Sequence, residues 1–411
     1  MNQLNVCLMN DSFPPVIDGV STCVLNYAEI IHRKFGNVTV CTPAYPGVTD
    51  PYDFPVIRYP SFDLTRLFGY RAGFPLDKKT IRTLAQKPLD IIHCHCPIMS
   101  VILARTLREL IQQPIVLTYH SKFDVDIKQD IRSKTMQDQA TGAILANIES
   151  CDEVWTVSRG AGDSLRALGY QGDYVVMENG VDLPRGSASS EALQQIDQEC
   201  HLKKDVPVLL FVGRLVWYKG LRTILDGLRL LRAQEVPFQM LFVGSGADEK
   251  AIRNYAAVCG LTDCCQFIPA VSDREKIRAF YSRGDLFLFP STYDTNGLVV
   301  REAAACGTAS MTLRNSCASE GITHMRNGLI IDDTPEALAS ETARLLQHRD
   351  AAWLLGQRAM DELYLSWEDS VTRAYRRYEN VLDRFHTDRR IRHGKSDTFF
   401  KTIAKLYRTE N

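Results

Sequence analysis

Short apolar runs alternate with helix-patterned stretches along most of this chain, in two series separated by a polar break. In the first series Asn5–Met9, Val38–Cys41, Leu89–His93, Ile115–Tyr119, Val154–Val157 and Tyr174–Met177 read as strands. Between the first two, Ser21–Phe35 reads as a helix with Val24, Leu25, Ala28, Ile31 and His32 on one face. In the second series the strands are Pro207–Val212, Gln239–Val243, Cys265–Ile268, Leu286–Phe289 and Ala309–Met311, with Gly328–Ile331 a further one. Strands this apolar are covered on both faces, and their alternation with helices implies parallel sheets. The expectation is an α/β chain of two parallel-sheet domains facing a cleft at the carboxyl ends of their strands, where ligands bind in such sheets. The polar stretch 184–204 reads as a linker between a first domain, 1–183, and a second, 205–365.

Composition narrows the class. A chain of 411 residues is too long for one core. With 45% hydrophobic and 24% charged residues it reads as globular. A net charge of −1 argues against nucleic acid as a partner. The twelve cysteines are scattered without zinc-ribbon spacing, which suits a reduced, cytoplasmic setting. No stretch of about eighteen apolar residues occurs, and the residues from Met1 to Met9 lack the pattern of a signal peptide.

Chemistry concentrates after two strands of the second series. Asp285–Pro290 reads as a buried strand end, and Gly297–Cys306 as a helix stopped by Gly307. A helix start of this kind presents free N–H groups and the positive end of a dipole to an anion such as phosphate. Asp294 lies just before it and Glu302 more than one turn inside, placed to accept hydrogen bonds from sugar and ribose hydroxyls. The segment alone fits equally a capped helix with a solvent-facing glutamate. Arg214 and Lys219 project from Gly213–Gly220, the loop after the first strand of the domain. They suit a diphosphate, and they also suit the ordinary fate of two solvated loop cations. Gly244 opens Gly244-Ser245-Gly246, too short for a dinucleotide fingerprint but compatible with a close backbone approach to a base or phosphate.

In the first domain Pro14-Pro15-Val16-Ile17-Asp18-Gly19-Val20-Ser21 follows the first strand. Gly19 permits close approach, and Ser21 is placed to cap the helix, so this reads as a second anion-ready helix start. Alternation along His93-Cys94-His95-Cys96 puts the histidines on one face and the cysteines on the other, which speaks against one metal collecting all four. His120 ends a strand and fits either a cleft histidine that hydrogen-bonds a sugar or a satisfied structural one. Asp124-Val125-Asp126 falls in polar loop context and reads as a chance match to a metal motif.

These elements resemble the retaining glycosyltransferases of family 4, which have the GT-B fold of two Rossmann-like domains. The resemblance runs to about residue 385. It is carried by Pro14-Pro15 with Asp18-Gly19-Val20, by Asn179-Gly180-Val181-Asp182, by Gly213-Arg214-Leu215 with Lys219-Gly220, and by Asp294 to Glu302 with Asn296-Gly297-Leu298. Ser366-Trp367-Glu368 resembles the start of the helix, 366–385, that crosses back to the first domain. The resemblance implies that Arg214, Lys219 and the backbone of Asn296, Gly297 and Leu298 hold the donor diphosphate, with Gly19 closing on it. It implies Glu302 on the ribose, Asp294 on the transferred sugar, His120 near the sugar C6 hydroxyl, and the base near Gly244 and Ala270-Val271-Ser272. It implies a nucleotide-sugar donor, UDP-glucose first, a lipid or glycan acceptor, and no metal or other cofactor. A GDP-mannose-dependent mannosyltransferase and a nucleotide-sugar epimerase are the alternatives. Two positions depart from the pattern: Asp294 stands where the family has Glu, and Asp18 where many members have Gly.

The tail 386–411 is basic. From Arg384 onward it carries eight Lys or Arg (384, 389, 390, 392, 395, 401, 405 and 408) against three acids (388, 397 and 410). Phe399, Phe400, Ile403, Leu406 and Tyr407 are expected on one helical face. Phe62–Lys87 adds six cations against two acids. The pattern suits an interfacial helix on anionic lipid at the inner face of the plasma membrane, and equally a helix packed on the first domain.

Overall fold

The computed structural model describes residues 3–16, 18–65, 71–388 and 395–408. The chain divides into two compact units, Met1–Asn179 with Trp367–Asn411, and Gly180–Ser366.

The first unit is a seven-stranded sheet ordered β3-β2-β1-β6-β7-β8-β9, parallel throughout. The strands are β1 (Asn5–Met9), β2 (Asn37–Pro43), β3 (Val56–Tyr59), β6 (Ile91–Cys94), β7 (Ile115–Tyr119), β8 (Glu153–Thr156) and β9 (Val175–Val176). A two-stranded antiparallel hairpin, β4 (Ser61–Phe62) and β5 (Ala72–Gly73), stands apart from it. Helices cover both faces, among them α1 (Gly19–Lys34) and α2 (Met99–Ile111). The two sides of the sheet form separate cores. Val6, Leu8, Val40 and Ile91 point to one, and Cys7, Met9, Cys41 and Ile92 to the other. That is the period-two alternation of a strand buried on both faces. On α1 the inward face holds Cys23, Val24, Tyr27, Ala28, Ile30 and Ile31, while His32 faces solvent, contrary to expectation.

The second unit is a six-stranded parallel sheet ordered β12-β11-β10-β13-β14-β15. Its strands are β10 (Val208–Val212), β11 (Gln239–Val243), β12 (Cys265–Ile268), β13 (Leu286–Phe289), β14 (Ser310–Leu313) and β15 (Leu329–Ile331). The stretch expected as a linker is part of this unit. Its helix α3 (Ser190–Glu199) buries Ile196, and Leu183, Ala188 and Cys200 join the same core. Three further helices matter for the site: α4 (Leu221–Ala233), α5 (Arg274–Arg283) and α6 (Leu298–Ala305).

At Trp367 the chain returns to the first unit. Helix α7 (Trp367–Thr387) buries Trp367, Val371, Ala374, Tyr375, Tyr378 and Val381 beside α1. Tyr375 accepts from the Leu4 N–H at 2.7 Å, which ties the helix to the edge of β1. The tail ends in α8 (Thr398–Arg408), which packs on α2. Its five apolar residues do not share a face. Phe400 is buried with Ala404 and Tyr407 is half-buried, whereas Phe399 and Leu406 are exposed. The reason is local: Arg105 of α2 lies 4.2 Å over the Phe400 ring and pairs with Asp397, so the helix rolls that side inward. Arg389, Arg390, Arg392 and Glu410 of the tail lie outside the described residues. No described helix is long and apolar enough to cross a membrane.

Candidate active site

In the second sheet β10 lies between β11 and β13, so the loops after β10 and β13 leave on opposite sides and open a crevice at the carboxyl edge. The loop after β10 is held from behind. Leu215 N–H donates to the Ser245 carbonyl, Trp217 N–H to the Asp248 carboxylate at 3.0 Å, and Asp248 N–H back to Leu215. Two glycines are required by space. A Cβ on Gly220 (φ +79°) would strike the Pro290 carbonyl, and one on Gly244 (φ +143°) the Gly213 carbonyl. The loops after β10, β11 and β13 therefore approach at backbone distance.

Lys219 from the β10 loop is buried and forms an ion pair with Asp294 from the β13 loop. It is no solvated loop cation. Arg214 is exposed, with Nη2 donating to the Tyr218 hydroxyl at 2.8 Å. Asp294 does not cap α6. That helix starts at Gly297, in the left-handed region at φ +60°, and no side chain caps it. Around this open start, buried polar atoms have no hydrogen-bond partner: Ser291 Oγ, Asp294 Oδ2, and both Oδ1 and Nδ2 of Asn296. Leaving such a group unsatisfied costs about 1–3 kcal/mol, so several at one helix start mark a place built for a ligand.

Glu302, one turn into α6, is not an ordinary exposed glutamate. It accepts from the Tyr281 hydroxyl at 2.8 Å and pairs with Arg274 at 3.0 Å. Burial, and then the nearby Glu302 carboxylate, push the Tyr281 phenol well above its usual range, so it remains a donor. Arg274 and Tyr281 lie seven residues apart on α5, and that helical spacing was the only sequence signal for them. On the far side of the crevice, Gly244 N–H donates to the Ile268 carbonyl and Ala270 N–H to the Ser245 hydroxyl. This holds the half-buried Val271 and its neighbours beside the Gly244 turn.

The first unit presents a different helix start. Asp18, not Ser21, is the N-cap of α1, and its carboxylate accepts from the N–H groups of Val20 and Ser21 at 2.8 and 2.7 Å. Ser21 closes a capping box, its hydroxyl accepting from Asp18 N–H at 3.0 Å. The expected second anion site is thus occupied by the chain's own carboxylate. Gly19 is the first residue of α1, and a Cβ there would meet open space.

His120, at the end of β7, is buried and shares a 3.1 Å hydrogen bond between its Nε2 and Nδ1 of His95. Burial pulls its pKa down to about 3, so the imidazole is neutral. His93 points to Tyr378 and Thr118, at 2.6 and 2.7 Å, and Cys94 to the opposite core, as alternation requires. Asp124 and Asp126 lie on the helix Phe123–Asp130 rather than in a loop, with Asp124 accepting from the Ser164 hydroxyl. Cys23 of α1, His95 and His120 could hold a metal ion, their ligand atoms all lying within 4.8 Å. His95 Nε2 is buried and unpartnered. Nothing in the sequence pattern signals this group, because its members come from three separate elements.

Comparison with known proteins decides the family. Residues 17–185 match the model described as Glycosyltransferase Family 4, and residues 194–360 the model described as Glycosyl transferases group 1.

The chain is a glycosyltransferase that carries both of these domains.

It is 21% identical over 313 residues to alpha-monoglucosyldiacylglycerol synthase of Streptococcus pneumoniae, covering 74% of this chain and 70% of that protein. It is 23% identical over 384 residues to the GDP-mannose-dependent alpha-(1-6)-phosphatidylinositol monomannoside mannosyltransferase of Mycobacterium tuberculosis, covering 88% and 94%. Among solved structures, Anabaena HepE in complex with UDP and glucose superposes with a TM-score of 0.71 at 17% identity, covering 92% of this chain and all of that one. This glycosyltransferase therefore has the GT-B fold.

Proposed function

We propose that this enzyme moves a hexose from UDP-glucose to a lipid or lipid-linked glycan, with retention of anomeric configuration and without a metal ion. One observation carries the reading: the uncapped start of α6, ringed by unpartnered Ser291, Asp294 and Asn296 atoms, with Lys219 beside it. Such a start suits a phosphate, and a pyrophosphate departing with added charge gains most from cations and N–H groups already in place. Lys219 and Arg214 supply the cations, and the backbone of Asn296, Gly297 and Leu298 the donors. The ion pair of Lys219 with Asp294 keeps both groups in position before the donor arrives. On binding, Lys219 turns to the pyrophosphate and Asp294 to a sugar hydroxyl. Glu302, set by Arg274 and Tyr281, takes the ribose hydroxyls, and the base lies against Gly244 and Val271.

No side chain is assigned as a nucleophile. The acceptor attacks on the face the pyrophosphate leaves, and a pyrophosphate oxygen takes its proton. In the first unit, neutral His120 at the end of β7 offers a hydrogen bond to an acceptor hydroxyl. Lipid acceptors are named for both curated relatives, and UDP and glucose are bound in the HepE structure. A lipid acceptor places the enzyme at the cytoplasmic face of the membrane as a peripheral protein.

A GDP-mannose donor is the second reading, favoured by the mycobacterial relative. Melting-temperature shifts with UDP-, GDP- and ADP-sugars separate the two, because a ligand that binds only the folded state stabilises it. Transfer of labelled glucose from UDP-glucose to diacylglycerol in EDTA, with an α-linked product, is the expected result. Strict metal dependence, or conversion of the donor without an acceptor, would refute the reading.

A further inference from the structure

Two apolar and basic segments far apart in sequence meet on the first unit. The end of α8 lies against the stretch that follows the β4–β5 hairpin. The Tyr407 hydroxyl donates to the Leu76 carbonyl at 2.7 Å, and the Arg82 guanidinium to the Tyr407 carbonyl at 3.0 and 3.1 Å. Two residues before Leu76, Phe74 is 44% exposed and sets its ring edge-on against Phe62, which is 61% exposed. One residue before Tyr407, Leu406 is 61% exposed, and Phe399, two turns earlier on the same outward side of α8, is 58% exposed. Lone exposed apolar residues are ordinary, but large side chains of this size left bare in one neighbourhood mark a contact surface.

The charges there point to the occupant. Lys79, Lys401, Lys405 and Arg408 are exposed around these residues. Among the described residues the acids nearby are engaged: Asp63 with Arg71, Asp77 at the cap of the helix Lys78–Ala85, Asp397 with Arg105, and Glu109 with Ser396. What remains facing outward is apolar rings bordered by cations. That combination suits an anionic bilayer, where rings enter the headgroup boundary and ammonium groups meet lipid phosphates. Meanwhile α8 is fixed from beneath by Phe400, Ala404 and Asp397, so it presents a preformed face.

We propose that the outward face of α8, with Phe62 of the neighbouring hairpin and Phe74 just after it, docks this enzyme on anionic lipid bilayers. The proposal rests on the reading of a lipid acceptor and names the surface that brings the enzyme to it.

Sedimentation of the full chain with vesicles tests it, using phosphatidylcholine alone and phosphatidylcholine with about one third phosphatidylglycerol. The wild type is expected to sediment with the anionic vesicles only, and to be released by high salt. Phe399→Asp with Leu406→Asp is expected to lower that partition at least tenfold. Lys401→Glu with Lys405→Glu should do the same without touching the apolar residues. The melting-temperature shift with UDP-glucose should be unchanged in both variants, which separates failure of docking from failure of the donor reading. Unchanged vesicle binding in the Phe399 and Leu406 variant would overturn the proposal. So would a concentration-dependent dimer of the wild type that the same substitutions abolish, because the face would then belong to a second copy of this chain.

Discussion

Two helices of this enzyme begin just beyond the carboxyl end of a central strand, one in each unit, and they treat the same backbone problem in opposite ways. At α1 the Asp18 carboxylate takes the N–H groups of Val20 and Ser21, and Ser21 returns a hydrogen bond to complete the box. At α6 Gly297 leaves the start without a cap, and the polar side chains around it lack partners. The first arrangement is good for stability, since an Asp cap contributes about 1 kcal/mol. The second sacrifices stability and has a reason only if something else satisfies those groups. The contrast teaches that a helix start near a strand end is not itself a site. The state of its cap decides.

The comparison can be broken at several points. The largest effect is expected at Lys219. Lys219→Met should lower kcat by about 10² to 10³, in line with loss of one preorganised charge at a departing group. It should also destabilise the unliganded protein, because Asp294 is left buried without its partner. Transfer assays and thermal melts on one preparation check both. A variant with full turnover would remove α6 from the chemistry.

Next is Asn296→Leu. Removing two unpartnered buried atoms should leave the melting temperature of the free protein unchanged or raised, while donor binding weakens by about 1–3 kcal/mol. A purely structural asparagine would behave in reverse, with lower stability and intact binding.

The buried imidazoles of the first unit give a pH prediction. Burial holds His93, His95 and His120 below their unfolded values, His120 at about 3. The unfolded chain therefore binds more protons below pH 6.5, and stability present above that value is lost as pH falls toward 3. His120→Gln should flatten part of this acid limb in urea titrations between pH 4 and 7. Turnover should show no His120 titration between pH 5 and 8.

The smallest effect tests the closed start. Asp18→Gly should cost only a few tenths of a kcal/mol as a cap while freeing the Val20 and Ser21 N–H groups. Inorganic phosphate should then raise the melting temperature of the variant by more than that of the wild type, in which the start of α6 alone is open to it. Equal responses would mean that the carboxylate never blocked the site.

Much of this was legible in the sequence, because parallel strands announce themselves as apolar runs and the loops after β10 and β13 carry recognisable glycines and charges. Several strand ends shifted by one or two residues, and β3 and the β4–β5 hairpin, short or half-buried, went unread. The cap of α1 was misassigned because Asp18 and Ser21 are both good cap residues three positions apart, and only the backbone angles decide which leads. Arg274, Tyr281 and the group of Cys23, His95 and His120 escaped notice because their contacts join distant segments. In α8 an amphipathic reading put five apolar residues on one face, whereas packing on α2 divided them into an inner and an outer set.

Calorimetric titration of UDP in EDTA, against wild type, Lys219→Met and Asp18→Gly, tests the central claim most directly. The account predicts binding to the wild type and to Asp18→Gly with similar affinity, and at least a tenfold loss in Lys219→Met. Equal affinity for all three proteins, or a loss confined to the Asp18 variant, would contradict it.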